Sequence, residues 1–126
     1  MTSGNYKISV SSKVMYIHAQ SEPSANRFVF AYTITLTNEG ELSAQLLDRH
    51  WIITDSAGKI QEVKGAGVIG ETPVLKPGGS FTYSSGSMIE TPTGSMEGSY
   101  GMKAEDGTNF KALIPIFTLS RPHSLH

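Results

Sequence analysis

Few residues in this chain could do chemistry, and their spacing limits what each could do. The string GAGVIG sets Gly65, Gly67 and Gly70 in G-x-G-x-x-G spacing. In a nucleotide-binding unit such glycines let backbone amides approach a pyrophosphate at a helix N-terminus. Here Glu71-Thr72-Pro73 follows and no helix opens. Two readings then stand: a looser nest of amides for a phosphate, or a glycine-rich bulge that lets strands cross closely. His18, His50, His123 and His126 are the borderline-soft metal ligands. His123 and His126, three apart, form the one pair whose spacing could grip Co²⁺ or Zn²⁺, and nothing in the sequence brings His18 or His50 to them. The carboxylates Glu39, Glu41, Glu90, Glu97, Glu105 and Asp106 fall in or near turns, without the D-x-D-x-D-G run of a calcium loop. Hydroxyls are plentiful, with 16 Ser and 11 Thr, but no G-x-S-x-G elbow presents a nucleophile. These residues contain no recognisable enzyme.

The elements that must position them read as strands. Phe28, Phe30, Tyr32, Ile34 and Leu36 alternate with Val29, Ala31, Thr33, Thr35 and Thr37, the period-two pattern of a strand with one apolar and one threonine-rich face. Residues 44–55 form the next strand, apolar on both parities, as expected of a central strand or of one whose faces are swapped by a bulge. Ser56-Ala57-Gly58 turns the chain into a short segment, 59–64. A first strand region spans Tyr6–Ala19, with a break expected at Ser11-Ser12. Later strands are expected around Phe81–Ser85, ending in a glycine bulge at Gly86, and at 95–104 and 109–120, where Asp106-Gly107 marks a hairpin. Pro115 makes the last strand an edge or a bulged one. No window keeps helical spacing. About seven or eight short strands in one domain, residues 1–126, predict an all-β, immunoglobulin- or fibronectin-III-like β-sandwich with Trp51 between its sheets.

Composition narrows the function classes. Lys plus Arg is 10 and Asp plus Glu is 11, interleaved along the chain. There is no basic stripe for nucleic acid and no polybasic run for a membrane surface. No apolar run approaches the ~18 residues that cross a bilayer. MTSGNYKISV lacks the basic and apolar regions of a secretory signal. The absence of cysteine removes disulfides, thiolate metal sites and thiol catalysis, and a reducing cytoplasm fits.

Longer strings carry a resemblance. YIHAQSEPSANRFVFAYTITLTNEG, AQLLDRHWIITDSAGKIQEVKGAGVIGETPVLKPGGSFTYSSG and ETPTGSMEGSYGM are similar to the ApaG (CorD) family, with the match running from about Val14 to His126. The family pattern is met at Leu46, Leu47, Arg49, Trp51, Ile53 and Thr54, and again at Val63, Gly65, Gly67, Val68 and Gly70. It recurs at Pro77-Gly78, Tyr83, Ser85-Gly86, Thr91-Pro92, Gly94, Met96, Gly98 and Tyr100, and at the terminal Leu125-His126. The resemblance implies a fibronectin-III-like sandwich in a cytoplasmic bacterial protein without established catalysis or cofactor. It also implies a genetic link to cobalt tolerance and magnesium efflux, a suggested phosphate site at the glycine triplet and, from eukaryotic proteins with the same domain, a protein-binding role. The expectation is therefore a non-catalytic protein-interaction module that acts indirectly on cobalt and magnesium. The alternative is direct binding of a divalent cation or a phosphate compound, at Gly65, Gly67 and Gly70 or at His123 and His126. Sandwich edges also favour self-pairing, which would give a homodimer.

Overall fold

In the computed structural model, residues 5–122 are described, and the expected histidine pair His123/His126 lies outside them. Eight strands follow in chain order: β1 Ile8–Tyr16, β2 Phe28–Asn38, β3 Ala44–Asp55, β4 Ile60–Ala66, β5 Val74–Leu75, β6 Ser80–Ile89, β7 Thr93–Ala104 and β8 Asn109–Ser120. They form two antiparallel sheets, β1-β2-β6 and β4-β3-β7-β8, with β5 extending the β4 edge along β3. This is the fibronectin type III arrangement of a sandwich, as the alternation of the sequence implies. Single 3₁₀ turns at His18–Gln20 and Pro23–Ala25 occupy the Pro23 loop.

The period-two pattern of β2 is realised along its length. Phe28, Phe30, Tyr32, Ile34 and Leu36 turn inward and are buried. On the other face Thr33, Thr35 and Thr37 meet Ser84, Thr82 and Ser80 of β6 through hydroxyl hydrogen bonds of 2.7, 3.0 and 3.0 Å. Two expected interruptions are absent. β1 pairs with β2 without a break at Ser11-Ser12, and Gly86 sits in unbroken register opposite Ala31. Small polar residues mark breaks when they face a core; here they lie in a sheet whose outer face is itself hydroxyl-rich, so the ladder passes through them.

β3 carries the bulge that its two apolar parities call for. The register with β7 slips between Leu46 and Asp48, so Leu47 is the additional residue. Leu46, Trp51 and Ile53 consequently all face inward, at 0, 2 and 6 % exposure. Around Trp51 the core is aromatic: Tyr32 lies 5.3 Å away, Phe117 6.0 Å and Tyr100 6.3 Å between ring centroids. β8 is an edge strand, and its register shifts beside Pro115, so that expectation holds in both of its forms.

Among the polar groups buried within this core are Asn38 and a pair of tyrosines. Asn38, 1 % exposed, donates through Nδ2 to the carbonyls of Leu42 (2.8 Å) and Leu75 (2.9 Å), while its Oδ1 accepts from the Gly40 amide (2.9 Å). It thereby fastens the end of β2 to β5 of the other sheet. The Tyr83 hydroxyl of β6 meets the Tyr100 hydroxyl of β7 at 2.5 Å across the gap between the sheets. Burial pushes the Tyr83 phenol up to about 12 and raises that of Tyr100 further.

Asn38→Ala strands one amide and two carbonyls in the core. It is expected to cost about 3 kcal/mol, read as a lower midpoint in urea unfolding. The tyrosines give a pH dependence of definite sign. Below pH 10 their phenols are neutral in the folded and unfolded chain alike. Between pH 10 and about 12 the unfolded chain ionises Tyr83 and the folded chain does not, so stability falls as pH rises, by about 3 kcal/mol for a two-unit shift. Thermal unfolding should show this loss in the native chain and a flatter profile in the Tyr83→Phe/Tyr100→Phe double variant.

Candidate functional site

The glycine triplet lies at the end of β4 and in the turn after it. Val68 and Glu71 exchange both backbone hydrogen bonds at 2.9 Å, which closes a two-residue hairpin turn on Ile69 (φ 43°) and Gly70 (φ 79°). Left-handed φ at both central residues is the turn whose twist matches the flanking strands. Gly67, φ 60°, gives its amide to Leu47 O at 2.8 Å. A Cβ there would run into the Glu71 carbonyl. The amides of Gly67, Val68 and Glu71 are thus bonded to carbonyls of the chain itself.

Gly65 serves Arg49. The two residues are cross-strand partners, and a Cβ on Gly65 would stand 2.9 Å from both terminal guanidinium nitrogens. With no side chain in the way, the guanidinium crosses β4 and donates to Ala66 O (3.0 Å) and Gly67 O (2.8 Å). Arg49 is on the inward parity of β3, with Trp51 and Ile53, and its charge draws the neighbouring Tyr83 and Tyr100 phenols slightly downward against the dominant effect of burial.

On the outer face of the larger sheet the register assembles residues far apart in sequence. Lys64, His50, Ser99 and Leu113 form one cross-strand row, and Ala66, Asp48, Gly101 and Lys111 the next. Small side chains in the middle of these rows leave a shallow depression of about 360 Å³ lined by Asp48, Arg49, His50, Lys64, Gly65, Ser99, Gly101 and Lys111. Gly101 is its floor: the Asp48 carboxylate folds over it and accepts the Gly101 amide at 3.1 Å, in space a Cβ would fill. His50 Nε2 lies 2.7 Å from Glu62 Oε2, and this hydrogen bond, helped by the charge of Lys64, holds the Glu62 carboxyl below the usual range.

Of the residues singled out from sequence, Gly65 and His50 come together in this depression, and Gly67 and Gly70 lie beyond its β4 end. His18 is exposed in the first 3₁₀ turn. Among the described residues no group of three or more His, Asp or Glu is placed to hold a metal ion. Sequence reading missed Lys64, Ser99, Gly101 and Lys111. The available signal was alternation: outward parity on three paired strands, once β3 is given its bulge.

The glycines should separate by what a Cβ would meet. Gly67→Ala forces a backbone carbonyl aside in a left-handed residue and is expected to cost well over 1 kcal/mol in denaturant unfolding. Gly70→Ala, with open space but positive φ, should cost about 1 kcal/mol. Gly65→Ala meets the movable end of Arg49, so the backbone should stay in place while the guanidinium leaves Ala66 and Gly67, at a cost of about 1 kcal/mol in denaturant unfolding and with a shift of the Arg49 side-chain NMR signals.

The comparisons with known proteins agree with one another. The family model for the ApaG domain matches residues 18–104. Protein ApaG of Aromatoleum aromaticum is 59 % identical over 124 residues, covering 98 % of each chain, and Protein ApaG of Thiobacillus denitrificans is 56 % identical over 121 residues, covering 96 % of this chain and 95 % of that one. A crystal structure of an ApaA protein from Bordetella pertussis superposes with a TM-score of 0.92 at 44 % identity, over 95 % of this chain and 98 % of that one. By sequence and by fold, then, this chain belongs to the ApaG family.

Proposed function

We propose that the chain is a non-catalytic, cytoplasmic protein-interaction module, and that the part in cobalt tolerance and magnesium efflux implied by its family is exercised through a protein partner. One observation carries this reading: the depression on the outer face of the larger sheet. It is shallow and open to solvent, whereas small-molecule sites enclose most of their ligand. Lys64 and Lys111 line it on either side of the Asp48 carboxylate, and Leu113, 71 % exposed, stands in one row with Ser99 and Lys64. An exposed apolar side chain next to basic groups suits a protein segment that brings an acidic residue and an apolar one together. The strands beneath are held by the sandwich core, so this surface is presented ready-formed and association would not require ordering it.

The two lysines of this lining favour one second reading, direct binding of a phosphate-containing ligand. The two are separated by affinity capture from native cytosol on the wild-type chain and on Lys111→Glu. Lys111 is exposed on the outer face of β8. A stoichiometric partner held by the wild type and lost from Lys111→Glu is the expected result. No reproducible partner, together with amide shifts at Ser99 and Gly101 on titration with millimolar ATP, would replace the protein reading with the ligand one. Titration with Mg²⁺ and Co²⁺ in the same experiment tests the direct cation alternative.

A further inference from the structure

We propose that β4 is a self-complementary edge at which two copies of this chain pair antiparallel, joining their larger sheets into one. The argument starts from hydrogen-bond parity. Asp55 bonds to Lys59, and Gly67 to Leu47, so odd-numbered residues of β4 face β3. The alternation of an antiparallel ladder then turns the amides and carbonyls of Ile60, Glu62 and Lys64 away from β3, along the sheet edge. Ala66 is the next in this series, and Arg49 occupies its carbonyl, which ends the open edge on that side.

Only one register of β4 against itself sets its opposite charges face to face, the Glu62 carboxylate keeping its bond to His50 of its own chain. With the two-fold axis through Val63, Glu62 stands opposite Lys64 of the other copy, and Lys64 opposite its Glu62. Both residues are exposed, and both have outward backbone groups, so each pair is a hydrogen-bonded pair that exchanges two bonds. Val63 meets its own copy at a non-bonded pair, where Cα atoms come nearest and side chains touch. Val63 is 39 % exposed although it has the inward parity, so this contact covers apolar surface that the isolated chain leaves open. Moving the axis to Glu62 or to Lys64 sets like charges opposite each other. Moving it to Gln61 or Gly65 separates the opposite charges altogether. Charge, backbone parity and apolar contact thus agree on a single arrangement. The proposal stands apart from the reading of the outer-face depression, because the readout below is association, not ligand binding.

The test is sedimentation equilibrium of the full chain from about 10 μM to about 1 mM, the range in which a short edge contact associates. A reversible monomer–dimer equilibrium is expected. Glu62→Lys and Lys64→Glu should each weaken dimerisation at least about tenfold, because like charges then face each other. An equimolar mixture of the two variants should recover it, since the lysine introduced in one then faces the glutamate introduced in the other. Lys64→Pro removes an outward amide that the β3 ladder does not use, so it should leave the circular dichroism unchanged and abolish the dimer. A chain that stays monomeric throughout, a mixture no tighter than either variant alone, or a dimer that survives in folded Lys64→Pro would each overturn the proposal.

Discussion

The additional residue in β3 sets the arrangement of everything around it. A strand with strict alternation could not place Leu46, Trp51 and Ile53 on one face, because Leu46 has the opposite parity. With Leu47 inserted, all three enter the core, and Asp48 and His50 turn to solvent on the other side. The same step puts Arg49 on the inward parity, beside β4, where its charge would be costly unless it found acceptors. It finds them in the carbonyls of Ala66 and Gly67, and it reaches them only because residue 65 lacks a side chain. One unpaired residue therefore links the hydrophobic centre, the closing of the β4 edge and the outer-face depression.

The glycines of β4 and its turn are better understood from this geometry than from their spacing. Gly67 and Gly70 provide left-handed backbone for a tight hairpin that folds Val68 into the core at 0 % exposure. Gly65 is small for the sake of a neighbour. Three structural demands fall close together in sequence and so produce the spacing of a nucleotide loop. The helix that gives such a loop its field is missing, and a β-turn takes its place.

Much of the fold was legible because the strands alternate. The central part of β2 follows from period two, the limits of β3 from an apolar run on both parities that ends at the Ser56-Ala57-Gly58 turn, and Asp106-Gly107 marks the last hairpin. Ser11-Ser12 and Gly86 depart from expectation for one reason: residue type alone suggests a local break, whereas the ladder to β2 decides at both places. The depression was not legible. Lys64, Ser99 and Lys111 come from three strands, and they meet only through register, which depends on the bulge at Leu47 and on the hairpin that joins β7 to β8. Even interleaving of charge along the chain gives no warning that Lys64 and Lys111 come to flank one depression.

The hydroxyl contact between Tyr83 and Tyr100 has a meaning apart from its energy. A core of aliphatic and aromatic groups tolerates many near-equivalent packings, because hydrophobic attraction has little sense of direction. Two phenols that find each other in the space between the sheets do not. Sliding one sheet over the other by a single residue, or rotating it by a few degrees, would leave two oxygens without partners in an apolar interior. The pair acts as an alignment mark. It contributes little to how firmly the sheets adhere, and it selects which of the possible sandwiches this chain becomes.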